Sequence, residues 1–236
     1  MQIQKIEEVE IPFKHRRLTR QLDLIPMEAM EVPITIIGAG AIGSFTALSL
    51  AKMGYENLTV WDFDKVDEVN LNSQFFRVKD VGKFKVDALK ELIKDFTGVD
   101  IAIRNERYES GTFDGIVIMC VDSMKVRRLA WENHKEVAFS TKLIIDARMG
   151  AEVALAYAMK PVNEKDIISY EKTLYSDEDA EEERCTAKAT VYCVLAISSH
   201  IVKIVKDFTV HPEQKYTRVC QWSIKENKQE CYSNQK

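Results

Sequence analysis

The sequence predicts an α/β fold in which a mostly parallel sheet has helices on both faces and C-terminal strands extend the sheet. Three observations favour this fold. Short runs rich in β-branched residues alternate with helix-like segments along the chain. A glycine-rich turn joins the first of these runs to the first helix. The 236 residues can also form one α/β domain with a sizeable core, so we expect a single domain over residues 1–236.

The first strand, turn and helix carry the strongest local signal. Ile34–Ile37 is a short β-branched run, and the next six residues, GAGAIG, form the pattern G-x-G-x-x-G. In this pattern Gly38 permits the tight turn, Gly40 lets a phosphate approach the backbone, and Gly43 lets the helix pack close to the strand. Residues 44–53 are apolar and helix-like, so phosphates would face a helix N-terminus with free N–H groups.

The second strand adds the residue type that binds a ribose. Gly54 ends the first helix, and the strand predicted over Leu58–Asp62 closes on a carboxylate. An acid about 20 residues past the glycines suits a ribose hydroxyl, which makes Asp62 the candidate. Strand, turn, helix, strand and acid thus occur in the order of a Rossmann-like nucleotide-binding unit, and we predict that the chain binds a nucleotide.

The remaining elements follow as alternating helices and strands. The predicted helices are 80–96, 123–137 and 189–208, and the predicted strands are 100–104, 116–120, 143–145, 151–158 and 217–224. The polar residues 1–33 form an N-terminal lead-in that includes a basic cluster and a possible strand at 3–11. Residues 163–184 are polar and contain an acidic run, which is typical of a solvated loop. We therefore expect a flexible crossover loop over residues 163–188.

Composition excludes several classes of protein. Lys and Arg total 33 against 37 Asp and Glu, and the net charge of −4 argues against a general nucleic-acid binder. No apolar run is long enough to span a membrane, so no membrane association is expected. The N-terminus MQIQKIEEVE lacks a signal-peptide core, and a cytoplasmic location is expected.

The cysteines and histidines show no metal-binding spacing. The chain has five cysteines without a C-x-x-C pair, which argues against a zinc ribbon. An odd number in a reducing compartment suggests free thiols. The four histidines are scattered along the sequence, and none is assigned a role.

The residues after the second strand narrow the chemistry. From Trp61 the chain reads WDFDKVDEVNLNSQFFRVKDVGKFKVDAL, and CVDSMKVRR follows at 120–128. These segments resemble the ThiF/MoeB family, whose pattern is roughly D-x-D-x-V, N-L-x-R-Q, G-x-x-K and then D-x-x-x-x-R. The matching positions are Asp62, Asp64, Val66, Asn70, Leu71, Gln74, Gly82, Lys85, Asp122 and Arg127. The resemblance covers about residues 13 to 208.

The resemblance implies an adenylyltransferase that uses ATP and Mg²⁺. It would activate the C-terminal carboxylate of a small ubiquitin-like or sulfur-carrier protein as an acyl-adenylate, and it would work as a homodimer. The chemistry fits the residue types, because a carboxylate that attacks the α-phosphate brings two anions together and requires fixed positive charge and a metal.

Each matching residue then has an expected role. Lys85, at the start of a helix, would reach phosphate oxygens, and Asn70 and Gln74 would hydrogen-bond phosphates without adding charge. Asp122 follows an apolar strand and would hold Mg²⁺ at the carboxyl edge of the sheet. The alternative for Asp122 is a helix N-cap, and for Lys85 a solvated helix lysine.

Two arginines extend the candidate site. The family arginine before Gln74 is Ser73 here, which removes a phosphate contact. Arg77 would replace it if the segment is helical, because residues i and i+4 share a face; otherwise it is a surface arginine. Arg20-Gln21 matches a short N-terminal pattern in the family, where the arginine reaches the ATP of the partner protomer. The alternative for Arg20 is an exposed basic helix face.

Cys185 is the candidate for a covalent step. It lies in ERCTAKAT between the acidic run and the last apolar helix, a placement that resembles the cysteine of the family's crossover loop. A thiol near a helix N-terminus is activated by the helix dipole, so Cys185 would take the acyl group from the adenylate. The alternative is a small buried residue at the start of a helix.

Three other functions stay open on the sequence alone. The same adenylation chemistry would serve a peptide or a small carboxylate. A nucleotide-binding subunit without catalysis is compatible with Ser73 in place of the arginine. An NAD(P)-dependent oxidoreductase would use the glycine turn, but it leaves Asn70, Gln74 and Lys85 unexplained.

Overall fold

In a computed structural model, residues 16–135, 139–174, 190–214 and 219–232 are described. The strands are β1 Ile34–Ile37, β2 Leu58–Trp61, β3 Ala102–Arg104, β4 Gly115–Met119, β5 Thr141–Gly150, β6 Val153–Met159, β7 Val219–Ser223 and β8 Lys228–Tyr232. The α-helices are α1 Ala41–Lys52, α2 Lys85–Thr97, α3 Met124–Lys135, α4 Glu164–Glu171 and α5 Val191–Val210.

One eight-stranded sheet organises the chain, in the order β3-β2-β1-β4-β5-β6-β7-β8. The pairs β2–β3, β1–β2, β1–β4 and β4–β5 are parallel, whereas β5–β6, β6–β7 and β7–β8 are antiparallel. The predicted fold class, a mostly parallel sheet extended by C-terminal strands, is confirmed. Every residue of β1 and β4 is buried, as expected for central parallel strands covered on both faces.

Two hydrophobic cores lie on opposite faces of the sheet. On one face, Ile36 and Ile118 pack with residues of α1, α2 and α5, including Leu50, Leu89 and Ile201. On the other face, Val117 and Ile144 pack with α3 and α4 through Trp131 and Tyr170. The helices therefore cover both faces, and no polar backbone of the central strands is left in water.

The strand order creates a crevice beside β1. The chain leaves β1 through α1 to β2 on one side, and later returns from β3 to β4 on the other side of β1. The two connections diverge at the carboxyl ends of β1 and β4, which is where ligands bind in open α/β sheets. This edge carries the glycine turn and the segment that begins at Cys120.

The helix predicted over 80–96 begins later than expected. Val78–Asp80 is a short 3-10 helix, Gly82 has φ +87°, and α2 starts only at Lys85. The positive φ interrupts the helical path, so the apolar periodicity is helical only from Lys85 onward.

Two predicted irregular segments contain regular structure. Helix α4 lies within the expected loop 163–188, because the Asn163 side chain accepts the N–H groups of Lys165 and Asp166 and caps the helix. Tyr170 of α4 packs edge-on against Trp131, with the ring centroids 4.8 Å apart. The polar composition of the segment gives no sign of this apolar contact. Strand β8 occupies part of the polar tail after Lys225, where cross-strand pairing with β7 compensates for low apolar content.

The prediction of free thiols is wrong for two of the cysteines. Cys220 and Cys231 face each other across the antiparallel β7–β8 pair and are joined by a disulfide. Sequence spacing alone does not reveal this pair, because the register of β8 is set only when the hairpin forms. Cys120 and Cys193 are free thiols in the structure, and Cys185 lies outside the described residues.

Among the described helices, none combines the length and apolarity needed to cross a membrane.

We predict that acidification destabilises the fold through His134. Its Nδ1–H donates to the Ala130 carbonyl at 2.7 Å, and its buried Nε2 has no hydrogen-bond partner in the described structure. Burial lowers the pKa of His134, against a smaller opposing effect of the Ala130 contact. Below about pH 6.5 the His134 side chain therefore binds a proton in the unfolded chain more readily than in the folded chain. The free energy of unfolding decreases as the pH is lowered through this range.

Denaturant unfolding between pH 7.5 and pH 5.5 tests this expectation. The His134→Gln variant should lose a smaller part of its free energy of unfolding over this range than the wild type. The exposed His211 is the matched control, and His211→Gln should keep the wild-type pH dependence. Equal pH dependence in wild type and His134→Gln would contradict the assignment.

Candidate functional site

The glycine turn at the end of β1 packs directly against the end of β4. The Gly38 N–H donates to the Trp61 carbonyl at 2.8 Å, and φ of Gly38 is +99°. A Cβ at this position would lie 2.5 Å from the Cys120 carbonyl oxygen. Only glycine fits this conformation and this contact, so Gly38 sets how closely the turn approaches β4.

The other two glycines of the motif face different surroundings. A Cβ on Gly43 would lie 1.9 Å from the Gly38 carbonyl oxygen, so α1 is held against the turn that precedes it. A Cβ on Gly40 would meet nothing within 4 Å. Gly40 therefore borders open space at the crevice, so its predicted contact with a phosphate is sterically possible.

Helix α1 starts at this open side. The Ser44 N–H donates to the Gly40 carbonyl at 3.0 Å, and no side chain caps the N-terminus in the described structure. The N–H groups of the first turn are thus available to an anion, and the helix dipole favours negative charge there. The turn has the chemical properties of a phosphate site.

Asp62 ties the glycine turn to the loop after β2. Its Oδ2 accepts the Ala39 N–H at 2.7 Å, and its Oδ1 accepts the Asp64 N–H at 2.8 Å. Burial raises the pKa of Asp62, while Lys85 and the two backbone donors act in the opposite direction. The ribose contact predicted for Asp62 stays a prediction, and the structure adds a second role in fixing the turn.

Lys85 lies at the first position of α2 with a largely buried side chain, 9% exposed. Its Nζ donates to Asp64 Oδ2 at 3.0 Å, and its N–H donates to the Asp64 carbonyl at 2.8 Å. Contacts therefore run without a break from Ala39 through Asp62 and Asp64 to Lys85. The alternative of a solvated helix lysine is excluded, since the ammonium is held beside the glycine turn.

Asp64 matches a motif position, but the sequence pattern assigns it no role in the candidate site. The pattern D-x-D was visible, but the direct bond of its carboxylate to an ammonium 21 residues away was not. Only the closure of the loop from β2 to α2 brings the two groups together.

The segment that carries Asn70 and Gln74 is fastened to α1. The Phe75 N–H donates to Ser44 Oγ at 3.0 Å, and Ser44 lies in the first turn of α1. The Asn70 side chain accepts the Asp67 N–H at 3.3 Å, which leaves its amino group to donate elsewhere. The Gln74 Oε1 is buried and has no hydrogen-bond partner in the described part of the chain.

The conditional role of Arg77 as a replacement for the missing arginine is wrong. Residues 73–77 contain no helix, so Ser73 and Arg77 do not share a helical face. The Arg77 guanidinium instead donates to Asp80 at 2.7 and 3.0 Å and to Asp95 at 3.1 Å. Asp80 in the short 3-10 helix and Asp95 on α2 therefore hold the guanidinium, and the helical condition for its phosphate role is not met.

Asp122 lies just beyond the carboxyl end of β4, and it is exposed. The N-cap of α3 is not Asp122 but Ser123, whose Oγ accepts the Val126 N–H at 3.4 Å. The capping alternative is therefore excluded. The carboxylate of Asp122 has no hydrogen bond or ion pair with another described residue, so its oxygens are available to a cation.

A buried ion pair holds the loop that carries Asp122. Arg127 donates to Asp146, to the Val121 carbonyl and, at 3.2 Å, to the Ala147 carbonyl. Both members of the pair are nearly inaccessible, with side chains 6% and 0% exposed. Asp146 also accepts Arg148 Nε at 2.8 Å and the Tyr170 hydroxyl at 3.0 Å. Arg127 thus positions the loop and does not face the crevice.

Arg20 is exposed in a 3-10 helix at the far end of α1. Its neighbours Arg17 and Gln21 donate to the carbonyls of Ala51, Lys52 and Met53 at the C-terminus of α1. Since α1 runs away from the glycine turn, Arg20 does not reach the site of its own chain. A role at a nucleotide requires a second copy and stays a prediction.

Burial disfavours the thiolate form of both described free thiols. Burial raises the pKa of Cys120 to about 12 and that of Cys193 to about 11. Cys185, the candidate for acyl transfer, lies outside the described residues.

The family and its curated relatives agree with the motif pattern. The model of the ThiF family matches residues 20–235. The NEDD8-activating enzyme E1 catalytic subunit of Arabidopsis thaliana is 36% identical over 104 residues, which are 41% of this chain and 23% of the relative. Ubiquitin-like modifier-activating enzyme 5 of Bombyx mori is 32% identical over 90 residues, 38% of this chain and 23% of the relative. The match thus spans about a quarter of these relatives' length.

Solved structures share the fold over almost the whole chain. The crystal structure of selenomethionine PaaA aligns with a TM-score of 0.75 over 99% of this chain and 77% of that one, at 16% identity. Escherichia coli MccB with MccA aligns with a TM-score of 0.72 over 94% and 73%, also at 16% identity. MccB with ATP aligns at 0.65 over 94% and 74%, at 15% identity.

We predict that Gly40→Ala weakens ATP binding with little effect on stability, whereas Gly43→Ala lowers the free energy of unfolding. At Gly43 the Cβ would overlap the Gly38 carbonyl, so Gly43→Ala should lower the free energy of unfolding by about 1–3 kcal/mol. At Gly40 the Cβ enters open space, and stability should stay within about 1 kcal/mol. Because that space is where a phosphate would approach, Gly40→Ala should weaken ATP binding about tenfold to a hundredfold.

Thermal unfolding and equilibrium dialysis with ATP measure the two effects. Wild-type ATP affinity in a stable Gly40→Ala variant would show that the phosphates do not bind at this turn.

We predict that Arg127→Ala destabilises the chain by about 1–3 kcal/mol, because the buried Asp146 carboxylate loses one of its two arginine partners and keeps Arg148. Arg128→Ala is the matched control, since Arg128 is exposed and donates only to the Leu174 carbonyl at 2.9 Å. Denaturant titration of both variants at pH 7 measures the difference. Equal stability of the two variants would mean that the buried pair does not hold the loop.

Proposed function

The chain belongs to the ThiF family, and from this premise we propose that it is an ATP- and Mg²⁺-dependent adenylyltransferase. Its reaction joins the C-terminal carboxylate of a substrate to the AMP part of ATP and releases pyrophosphate. One observation carries the proposal above the others. The contacts from Ala39 through Asp62 and Asp64 to Lys85 hold a buried ammonium beside the open glycine turn.

That arrangement suits a triphosphate better than a dinucleotide. The turn supplies N–H donors at Gly40 and the first turn of α1, and Lys85 supplies one fixed positive charge. Asn70 and Gln74 lie on the segment fastened to α1 and supply amide groups. Hydride transfer does not require the Lys85 ammonium or the amide groups of Asn70 and Gln74. This grouping therefore disfavours the oxidoreductase alternative.

The residues present also fit a divalent cation. Asp122 is exposed at the carboxyl edge of β4, and its carboxylate is neither a helix cap nor paired with another described residue. Carboxylate oxygen is the ligand that Mg²⁺ prefers, and this ion usually combines one or two carboxylates with phosphate oxygens. When bound, Mg²⁺ would neutralise charge on the phosphates. Asp122 is therefore the residue that would hold it.

The protein's own groups divide the work of the reaction. The glycine turn and α1 bind and orient the phosphates, and Asp62 is placed for the ribose. Lys85 exchanges its contact with Asp64 for phosphate oxygens and stabilises the negative charge that develops during attack. Arg127 acts at a distance, because it fixes the loop that presents Asp122.

The proposed substrate is the C-terminus of a small ubiquitin-like or sulfur-carrier protein. The relatives named for the activation of NEDD8 and of a ubiquitin-like modifier support this choice over residues shared with this chain. We propose a homodimer in which Arg20 reaches the ATP of the second copy, since Arg20 lies too far from its own site. Cys185 is proposed to take the acyl group after adenylation.

A peptide carboxylate is the second candidate substrate. MccB, which has been solved with MccA, shares this fold over 94% of this chain, and this likeness supports a peptide as the alternative acceptor.

We predict that ATP–pyrophosphate exchange requires Lys85 and Asp122. Exchange is measured with Mg²⁺ and with each candidate acceptor in turn, carrier proteins and peptides with free C-termini. Lys85→Ala and Asp122→Asn should each lower the rate about a hundredfold or more, because each removes a charge that acts on the phosphates.

The chain offers matched controls for both substitutions. Lys83 precedes Lys85 by two residues and pairs with Glu91 at 2.6 Å on the surface, so Lys83→Ala should keep the wild-type rate. Asp114 is exposed just before β4, at the opposite edge of the sheet from Asp122, so Asp114→Asn should also be neutral.

The acceptor that supports exchange decides between the two substrate classes. ATP binding without exchange for any acceptor would indicate a nucleotide-binding subunit without catalysis. Absence of ATP binding, together with binding of NAD(H), would overturn the proposal in favour of an oxidoreductase.

A further inference from the structure

We propose that His200, Cys220 and Cys231 form a redox-controlled site for a thiophilic divalent metal, with Zn²⁺ as the fitting ion. The imidazole nitrogen and the two sulfur atoms all lie within 4.8 Å of one another. The site connects α5 to the β7–β8 hairpin, away from the nucleotide crevice. It does not depend on the proposed activity.

Three elements bring the ligands together. Cys220 and Cys231 lie opposite each other in the β7–β8 ladder, so both side chains stand on one face of the hairpin. Trp222, two residues after Cys220, shares that face and packs against the His200 ring at 5.6 Å. Helix α5 therefore presents His200 to the same face that carries both sulfur atoms.

The imidazole of His200 is the observation that points to a ligand. The residue is 8% exposed, and its buried Nε2 has no hydrogen-bond partner among the described residues. A buried polar atom without a partner costs free energy that native structures usually avoid. A metal at the sulfur atoms would bind the His200 ring nitrogen that lies within 4.8 Å of them, because neutral imidazole is a common zinc ligand.

The surroundings favour thiolates in the reduced state. The Gln229 side-chain amide lies 3.3 Å from both sulfur atoms and donates to them. Donors to sulfur stabilise the thiolate form that binds metal. Cys231 is exposed, so solvent completes the four-coordinate geometry that zinc prefers beside three protein ligands.

The disulfide and the metal site exclude each other. A dithiol reductant transfers two electrons and two protons to the Cys220–Cys231 disulfide and becomes a disulfide itself. The two protein thiols then lose their protons when Zn²⁺ binds, so metal uptake releases two protons to solvent. Oxidation therefore expels the metal, and reduction opens the site.

The test uses the full chain in both redox states. The protein is reduced with dithiothreitol and freed of reductant and metal under anaerobic conditions. It is then titrated with Zn²⁺ against a chromophoric chelator, and separately with Co²⁺, whose thiolate charge-transfer band reports sulfur ligation. We expect about one equivalent of Zn²⁺ in the reduced chain and loss of this binding after reoxidation, with thiol counting to verify each state.

Variants distinguish this site from other cysteines. Cys220→Ser should abolish the cobalt–thiolate band, and His200→Gln should weaken Zn²⁺ binding about tenfold or more, a change of 1.4 kcal/mol per factor of ten. Cys193→Ser is the control that should bind as the wild type does. Cys193 lies two turns before His200 on α5, so it also reports any general disturbance of that helix.

Four results would overturn the proposal. They are a Cys220–Cys231 bond that dithiothreitol does not reduce in the folded protein, a reduced chain that binds no Zn²⁺, equal binding in the oxidised chain, and wild-type affinity in folded His200→Gln. Circular dichroism of the reduced, metal-free variants establishes that each one is folded.

Discussion

The close approach of the glycine turn to the end of β4 is the constraint on which the site depends. Two carbonyl oxygens, those of Cys120 and Gly38, occupy the positions that side chains at 38 and 43 would need. The turn therefore lies flat against the sheet edge, and α1 begins at the point where the connections from β1 and β3 diverge. An anion site at a helix N-terminus follows from this packing, because the N–H groups of the first turn point into the crevice.

Charge is distributed around this turn in two ways. Close to the crevice, Asp62, Asp64 and Lys85 form a connected group in which one ammonium serves two carboxylates. In the proposed function, Lys85 exchanges its contact with Asp64 for phosphate oxygens. Behind the loop, Arg127 and Asp146 are nearly inaccessible. Arg127 also donates to backbone carbonyls, and Asp146 also accepts from Arg148 and Tyr170. This second pair is structural, since desolvated ions with complete partners do not exchange them for a ligand.

The C-terminal hairpin adds a separate unit at the far end of the sheet. Strands β7 and β8 are joined to each other by the Cys220–Cys231 pair, and His200 approaches that pair from α5. Helix α5 also packs along α1, where the Ser198 hydroxyl donates to the Ile42 carbonyl in the first turn of α1. The hairpin, α5 and α1 therefore pack together, although the two proposed sites have different chemistry.

The sequence by itself determined the sheet's parallel part, the glycine turn and the family, because these depend on local patterns: β-branched runs, the spacing of glycines and short motifs. It also located Lys85 and Asp122 at the ends of elements. Tertiary structure decided what those side chains touch. Lys85 pairs with Asp64, Ser123 rather than Asp122 caps α3, and Arg77 is held by Asp80 and by Asp95 of α2. The sequence pattern does not single out these partners. The same reason explains β8 and the Cys220–Cys231 pair, because the register of a polar strand is set by the neighbour on which it folds.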